Sequence, residues 1–359
     1  MFNKTFKTLC LLTAAGAMAL TTGCGAEKTE KSEKPQVVVG SYPFQYAAEA
    51  VAGENAEVTN LLSPGSDAHD LELTAKQVSS VGNADLVVYQ SKLQSALDDA
   101  VEQQKPKNVL DTATFLKLRE ADASAHNHDH EHGDEHDDHD HAEGREHSHD
   151  EHSDHDHADH EHSDEQADHN HADEEGSDDH DGHDHGKYDP HVWLDPSNVA
   201  EIGNKVADEL AKIDQANADS YKENAKKLTE QMNSLDGEFK TGLASCQIDT
   251  FVTNHAAFGY LADRYGLHQV GISGLSTEED PSPARIEEIH EIAKEKKLTT
   301  IFYEQSVSPK VSETIAKDLG LQTDVLDPLE TLSDNSRGKD YVEVMHSNLD
   351  SLRKANSCK

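Results

Sequence analysis

The chain has 359 residues, 34% of them hydrophobic and 28% charged, with 31 basic against 71 acidic side chains and a formal net charge of -40. That surplus excludes nucleic acid as a partner, because phosphate recognition needs a basic surface, and it favours cations instead. With an N-terminal leader set aside, roughly 320 residues remain, enough for two domains with cores of their own.

The leader pairs a basic start, Lys4 and Lys7, with a short apolar run from Leu9 to Leu20, the layout of an export signal and too short to span a bilayer. The residues TTGC resemble the end of a bacterial lipoprotein signal, which assigns residues 1–23 to the signal peptide and Cys24 to lipidation. Residues 24–35 are polar and charged and read as a tether between a lipid anchor and a folded body. The export signal and the lipidated cysteine give an expected extracytoplasmic location with the lipid as the membrane attachment, and no second long apolar run follows to enter the membrane. Cys10 leaves with the signal and Cys24 carries the lipid. Cys246 and Cys358 then remain as an even pair, expected to form a disulfide in an exported chain.

Residues 36–120 read as an α/β lobe. QVVVGSYPF, AEVTNLL, ADLVVYQ and KNVLD are short β-branched runs with amphipathic segments between them, the pattern of parallel strands covered on both faces. Residues 121–187 break that pattern. They hold 26 acidic residues against Arg145 and Lys187, and 19 of the 25 histidines, without apolar periodicity, and read as a disordered His/Asp/Glu-rich loop.

DPHVWLDP follows, and then Val199, Ile202, Val206, Leu210 and Ile213 recur at helical spacing after Pro196, a residue suited to a first helical turn. The spacing resumes through Tyr221, Leu228, Met232, Leu235 and Phe239, so residues 188–245 finish the first lobe and supply two helices, or one long broken one. Residues 246–359 form a second α/β lobe, with DTFVTNH, HQVGIS, LTTIFYE and QTDVLD as strands and helices near 256–265, 283–297, 308–319 and 338–354. Two such lobes joined by helix frame a cleft.

Three histidines outside the loop fall where strands or turns end: His69 in SPGSDAHDLELT, His191 in DPHVWLDP and His255 in FVTNHAAFGYLADRYGL. Strand ends are where α/β lobes place ligands, and neutral imidazole is the commonest nitrogen ligand for zinc. A carboxylate from VLDPLETLS, either Asp327 or Glu330, would complete four donors. His268, His290 and His346 lack such a setting, and the last two read as solvated helix residues.

The segments SDAHDLELTAKQV, DPHVWLDP, TNHAAFGYLADRYGL, and the run from IFYEQSVSPKV to VLDPLETLS resemble the solute-binding proteins of zinc and manganese ABC transporters, most of all the zinc-specific ZnuA-like branch, over essentially the whole mature chain. The resemblance implies two (βα)4 lobes joined by a long connecting helix, with the metal between them. It places His69 and His191 on the N-terminal side, His255 on the C-terminal lobe and Glu330 fourth, with Asp327 or a water as alternatives. It implies Zn2+ as cargo rather than manganese, which favours more oxygen donors. The partners implied are a permease and an ATPase on separate chains, met by a monomeric receptor. A zinc hydrolase is disfavoured by the lack of an HExxH helix or a GxSxG turn, so no enzyme activity is expected. The remaining alternatives are a manganese-binding transport receptor and a surface zinc buffer or adhesin with the loop doing the binding.

Overall fold

A computed structural model describes residues 34–121, 187–275 and 281–359. The signal peptide, Cys24, most of the tether and the His-rich loop between Ala121 and Lys187 lie outside the described residues. The first sheet holds β1 (Gln36–Val39), β2 (Glu57–Asn60), β3 (Leu86–Tyr89) and β4 (Val109–Asp111), all parallel, in the order β2-β1-β3-β4. Helices α1 (Tyr42–Ala52), α2 (Ala75–Asn83) and α3 (Ser95–Gln104) connect them. The second sheet repeats the arrangement with β5 (Thr250–Thr253), β6 (His268–Gly271), β7 (Thr300–Tyr303) and β8 (Gln322–Val325), parallel, in the order β6-β5-β7-β8. Its helices are α6 (Gly259–Tyr265), α7 (Pro283–Lys296), α8 (Lys310–Leu319) and α9 (Tyr341–Ala355).

The near-continuous apolar strands follow from burial on both faces. Val37, Val39, Leu86 and Val88 pack into one core with α1, whereas Val38, Val87 and Tyr89 point the other way, into a second cluster with Val81, Leu97 and Ala100 of α2 and α3. Alternation along a strand therefore sends apolar groups to two cores rather than to core and solvent. The second lobe does the same, with Val252 and Ile301 facing Ile289, Ala293 and Ile315 of α7 and α8.

Between the two sheets in chain order come α4 (Pro196–Ile213) and α5 (Ala218–Leu243), two separate helices with the break at Asp214. Asp195 caps α4 by accepting the amide of Ser197 at 2.8 Å, and Pro196 occupies the first turn. With 26 residues, α5 runs about 39 Å, long enough to serve both lobes. Its first half packs against α1 and α4 and its second half against α6 and α9. The core reflects this: Phe44, Trp193, Met232, Phe239, Phe302 and Leu352 belong to one continuous cluster. Arg264 of α6 adds a polar tie, reaching Asp236 of α5 at 2.6 Å and Asp195 at 3.1 Å.

Cys246, just past α5, is joined by a disulfide to Cys358, just past α9, so the chain's last residues are stapled to the end of the connecting helix. Among the described residues no helix is long and apolar enough to cross a membrane.

Candidate metal centre

The four ligand candidates arrive on four loops at the sheet ends. His69 lies in the loop after β2, where Asp67 accepts its backbone amide at 2.9 Å. His191 opens the short 3-10 turn Val192–Leu194, and Asp189 fixes it twice: one carboxylate oxygen accepts the His191 amide at 2.9 Å and meets Nδ1 of the same residue at 2.8 Å. His255 leaves the carboxyl end of β5, its carbonyl taken by Thr253 Oγ1 and Gln269 Nε2. Glu330 follows β8. All four side chains are buried.

Their inward atoms form a compact figure. Glu330 Oε1 lies 3.5 Å from His69 Nε2, 3.3 Å from His191 Nε2 and 3.3 Å from His255 Nε2. His191 Nε2 is 3.3 Å from His69 Nε2 and 3.4 Å from His255 Nε2, and all four atoms fall within 4.8 Å of one another. A regular tetrahedron whose centre is about 2.05 Å from each corner, the zinc–nitrogen distance, has edges of about 3.3 Å.

The electrostatics point the same way. His191 Nδ1 and His255 Nδ1 face the carboxylates of Asp189 and Glu304 and donate to them, so the neutral rings turn Nε2 lone pairs inward. Glu330 Oε1 is a buried oxygen without a hydrogen bond of its own, facing only these imidazole nitrogens at ion-pair distance. Lone pairs gathered this closely in a buried site repel one another unless a cation sits among them. When no metal is bound, protons take that place. Burial pushes the His191 imidazole down, but Asp189 and Glu330 together hold it above its ordinary value; Glu304 and Glu330 hold His255 well above. Burial pushes Glu330 up, and the three imidazoles bring it well below the usual carboxylate range.

Asp327, the other carboxylate of VLDPLETLS, is not among the four converging atoms. One of its oxygens accepts the amide of Leu329 at 2.8 Å. Burial, with Glu304 and Glu330 nearby, pushes its carboxyl up to about 6 against the opposing Leu329 bond. His268 is exposed beside Asp249, and His346 pairs with Glu238 at 2.7 Å. The expectation that His290 is solvated needs correction: it is half-buried on α7, with Nε2 enclosed and lacking a hydrogen bond, because α7 turns that side toward the sheet.

Asp189 and Glu304 are the residues that sequence reasoning passed over. Asp189 sits in plain view in DPHVWLDP, and its spacing of two from His191 is that of a side chain bonding its own backbone two residues on. Glu304 gave only its place at the end of β7. Behind them, Tyr260 donates to the Asp189 carbonyl at 3.0 Å, and Arg119 Nη1 lies 3.8 Å from Asp189 Oδ2. Gly259 permits this approach, since a Cβ there would lie 2.6 Å from Asp189 Oδ2. A cleft of about 1080 Å3 reaches the ligand group at Glu330, which lines it with Pro64, Gly65, Asp327 and Lys339, whereas His69, His191 and His255 do not line that cleft.

Residues 37–355 match the family described as zinc-uptake complex component A, periplasmic. The zinc-binding lipoprotein AdcA of Streptococcus pneumoniae is 31% identical over 349 residues, covering 97% of this chain and 60% of that protein. The high-affinity zinc uptake system protein ZnuA of Bacillus subtilis is 30% identical over 350 residues, covering 96% of each. The chain thus spans about 60% of the length of the pneumococcal relative. Among solved structures, the laminin-binding protein Lmb of Streptococcus agalactiae, described as having adhesin and metal transporting activity, aligns with a TM-score of 0.67 at 28% identity over 90% of this chain and 99% of that one. Zinc(II)-bound AdcA of Streptococcus pneumoniae aligns with a TM-score of 0.65 at 28% identity, over 90% of this chain and 58% of that one. The chain belongs to the zinc-uptake complex component A family, and its two lobes are those of a ZnuA-like solute-binding protein.

Proposed function

We propose that this family member is an extracytoplasmic receptor that captures one zinc ion with His69, His191, His255 and Glu330 and delivers it to an ABC permease. The observation that carries the reading is the buried group of three imidazole nitrogens and one carboxylate oxygen at tetrahedral spacing. Zinc is the cargo in this account, not a resident cofactor. Four protein donors leave no position for an activated water, which separates the site from a hydrolytic one. Three nitrogens against one oxygen favour zinc over manganese.

The chain's residues divide the work. His69 and His191 come from the N-terminal side and His255 and Glu330 from the C-terminal lobe, so separating the lobes takes two donors from the ion at once. Asp189 and Glu304 orient His191 and His255 and keep their Nε2 lone pairs inward. The ion enters and leaves on the Glu330 side, the side open to the cleft. In this reading Cys24 carries a lipid that tethers a monomeric receptor, and the His-rich segment gathers zinc near the cleft and raises its local concentration. The permease and its ATPase are separate chains.

The test is growth of the host lacking this protein under zinc limitation. The wild-type chain restores growth and His191→Ala does not. Restoration by His191→Ala that equals wild type removes the site from the account. Loss of all tight zinc binding by purified protein lacking residues 122–186, with the four ligands intact, favours the zinc-buffer reading.

A further inference from the structure

Glu330 reaches the three imidazoles from a strap, residues 327–331, in which every residue is tied down. Asp327 exchanges two hydrogen bonds with Asn348 of α9, its amide donating at 2.9 Å and its carbonyl accepting at 2.8 Å. These belong to the strap's own lobe. Three further ties come from chain outside that lobe: Trp193 Nε1 donates to the Pro328 carbonyl at 2.7 Å, the Tyr42 amide at the head of α1 donates to the Glu330 carbonyl at 3.0 Å, and the Gly65 amide donates to Thr331 Oγ1 at 2.8 Å.

Between the first two lies Leu329, with a φ of +61°. A leucine in the left-handed region sets Cβ against the following carbonyl and is disfavoured, so the conformation persists only where neighbours impose it. Two groups do so here: Asp327, whose carboxylate accepts the Leu329 amide, and Trp193, which holds the carbonyl just before Leu329. Trp193 is fully buried, packs edge-on against the ligand ring of His191 at 5.4 Å between centroids, and is two residues from it. Its own carbonyl accepts the Tyr341 hydroxyl at 2.6 Å, which fixes the turn that carries it. One side chain thus touches a nitrogen ligand from one side of the cleft and latches the backbone that aims the oxygen ligand from the other.

We propose that Trp193 is a positioning residue for Glu330, its indole N–H bond to the Pro328 carbonyl holding the left-handed Leu329 turn so that the carboxylate stays on the metal. The inference rests on the reading of His69, His191, His255 and Glu330 as the metal-holding set. It makes Glu330 the ligand that lets go first. Breaking the indole bond removes one of the two groups that impose the disfavoured turn and loosens the donor that faces the cleft.

Trp193 is the chain's one tryptophan, so biosynthetic replacement by 3-benzothienylalanine exchanges N–H for sulfur at this position alone, with the bicyclic shape kept. The experiment loads the full chain with one equivalent of zinc and follows capture of the released ion by a fast chelator dye. Losing the only donor to a buried carbonyl is expected to speed release about tenfold. In a Glu330→Ala background, where release is already fast, the same replacement is expected to add nothing, because Trp193 acts through Glu330. Wild-type release by the analogue, or equal acceleration in both backgrounds, overturns the proposal. Glu330→Ala releasing zinc as slowly as wild type overturns the ligand assignment instead. Should the analogue not fold, the pair Asp327→Ala and Asp327→Asn tests the same turn: alanine, which removes the acceptor for the Leu329 amide, accelerates release and asparagine, which keeps it, does not. Equal rates for that pair refute the latch.

Discussion

Replacing Glu304 separates the charge behind a ligand from the ligand itself. Glu304 is 2% exposed, and its carboxylate accepts His255 Nδ1 while His255 Nε2 stands 3.3 Å from Glu330 Oε1. Glu304→Gln keeps an acceptor of the same reach and removes the charge; Glu304→Ala also leaves the buried Nδ1–H without an acceptor. Groups of this kind are worth about 10- to 100-fold in metal affinity, so the glutamine variant should bind zinc about tenfold more weakly and the alanine variant about a hundredfold. Those factors correspond to about 1.4 and 2.7 kcal/mol. The pH adds a signature. Because Glu304 holds the His255 imidazole well above its ordinary value, it also strengthens the competing proton. Removing the charge weakens both competitors, so the deficit of Glu304→Gln should be larger near pH 8, where protons compete less, than near pH 6. Chelator competition at the two pH values measures it. Wild-type affinity at pH 8, or a deficit that grows toward pH 6, refutes the reasoning.

The metal-free protein gains stability from His191 and His255, whose folded values are raised by Asp189, Glu304 and Glu330; that contribution is fully present below the unfolded value of about 6.5 and is lost as pH rises through the folded values. Zinc displaces those protons, so the rise in melting temperature on adding one equivalent should increase from pH 6 to pH 8 in scanning calorimetry, and a pH-independent rise contradicts this. Reducing the bond between Cys246 and Cys358, 112 residues apart, should lower unfolding free energy by about 5 kcal/mol in the chain-entropy model while leaving zinc stoichiometry unchanged. Denaturant unfolding with and without reductant checks the first part. Gly259→Val forces a side chain against Asp189 and Arg119 and should weaken zinc binding by at least tenfold through the displaced Asp189–His191 pair, a loss that calorimetric titration would register.

Much of this architecture is legible in the sequence because its signals are local. The β-branched runs around Val37–Val39 and Leu86–Tyr89 mark parallel strands buried on both faces, and the helical spacing after Pro196 marks the connecting pair. Boundaries are less legible where function bends the chain. A helix from 256 is the natural reading of AAFGYLADRY, yet α6 begins at Gly259, because residues 256–258 turn to present His255 and let Gly259 pass close to Asp189. Convergence of His69, His191, His255 and Glu330 is a long-range property that no window of sequence contains; the motif resemblance supplied it. The carboxylate partners show the same limit, since Asp189 is visible through its own motif whereas Glu304 lies 49 residues from the imidazole it serves. The left-handed Leu329 has no signature at all, because neighbours from distant segments impose it.

The most direct test of the account is X-ray absorption at the zinc edge on protein lacking residues 122–186 and loaded with one equivalent of zinc. The deletion is structurally simple, since the Ala121 amide already donates to the Lys187 carbonyl at 3.0 Å and a short glycine-serine linker can join the two. The account predicts one tightly bound ion with three imidazole nitrogens and one carboxylate oxygen at about 2.0–2.1 Å, and loss of an imidazole from that shell in His255→Ala. Failure of the shortened protein to retain one equivalent, or a coordination shell unchanged by His255→Ala, would contradict it.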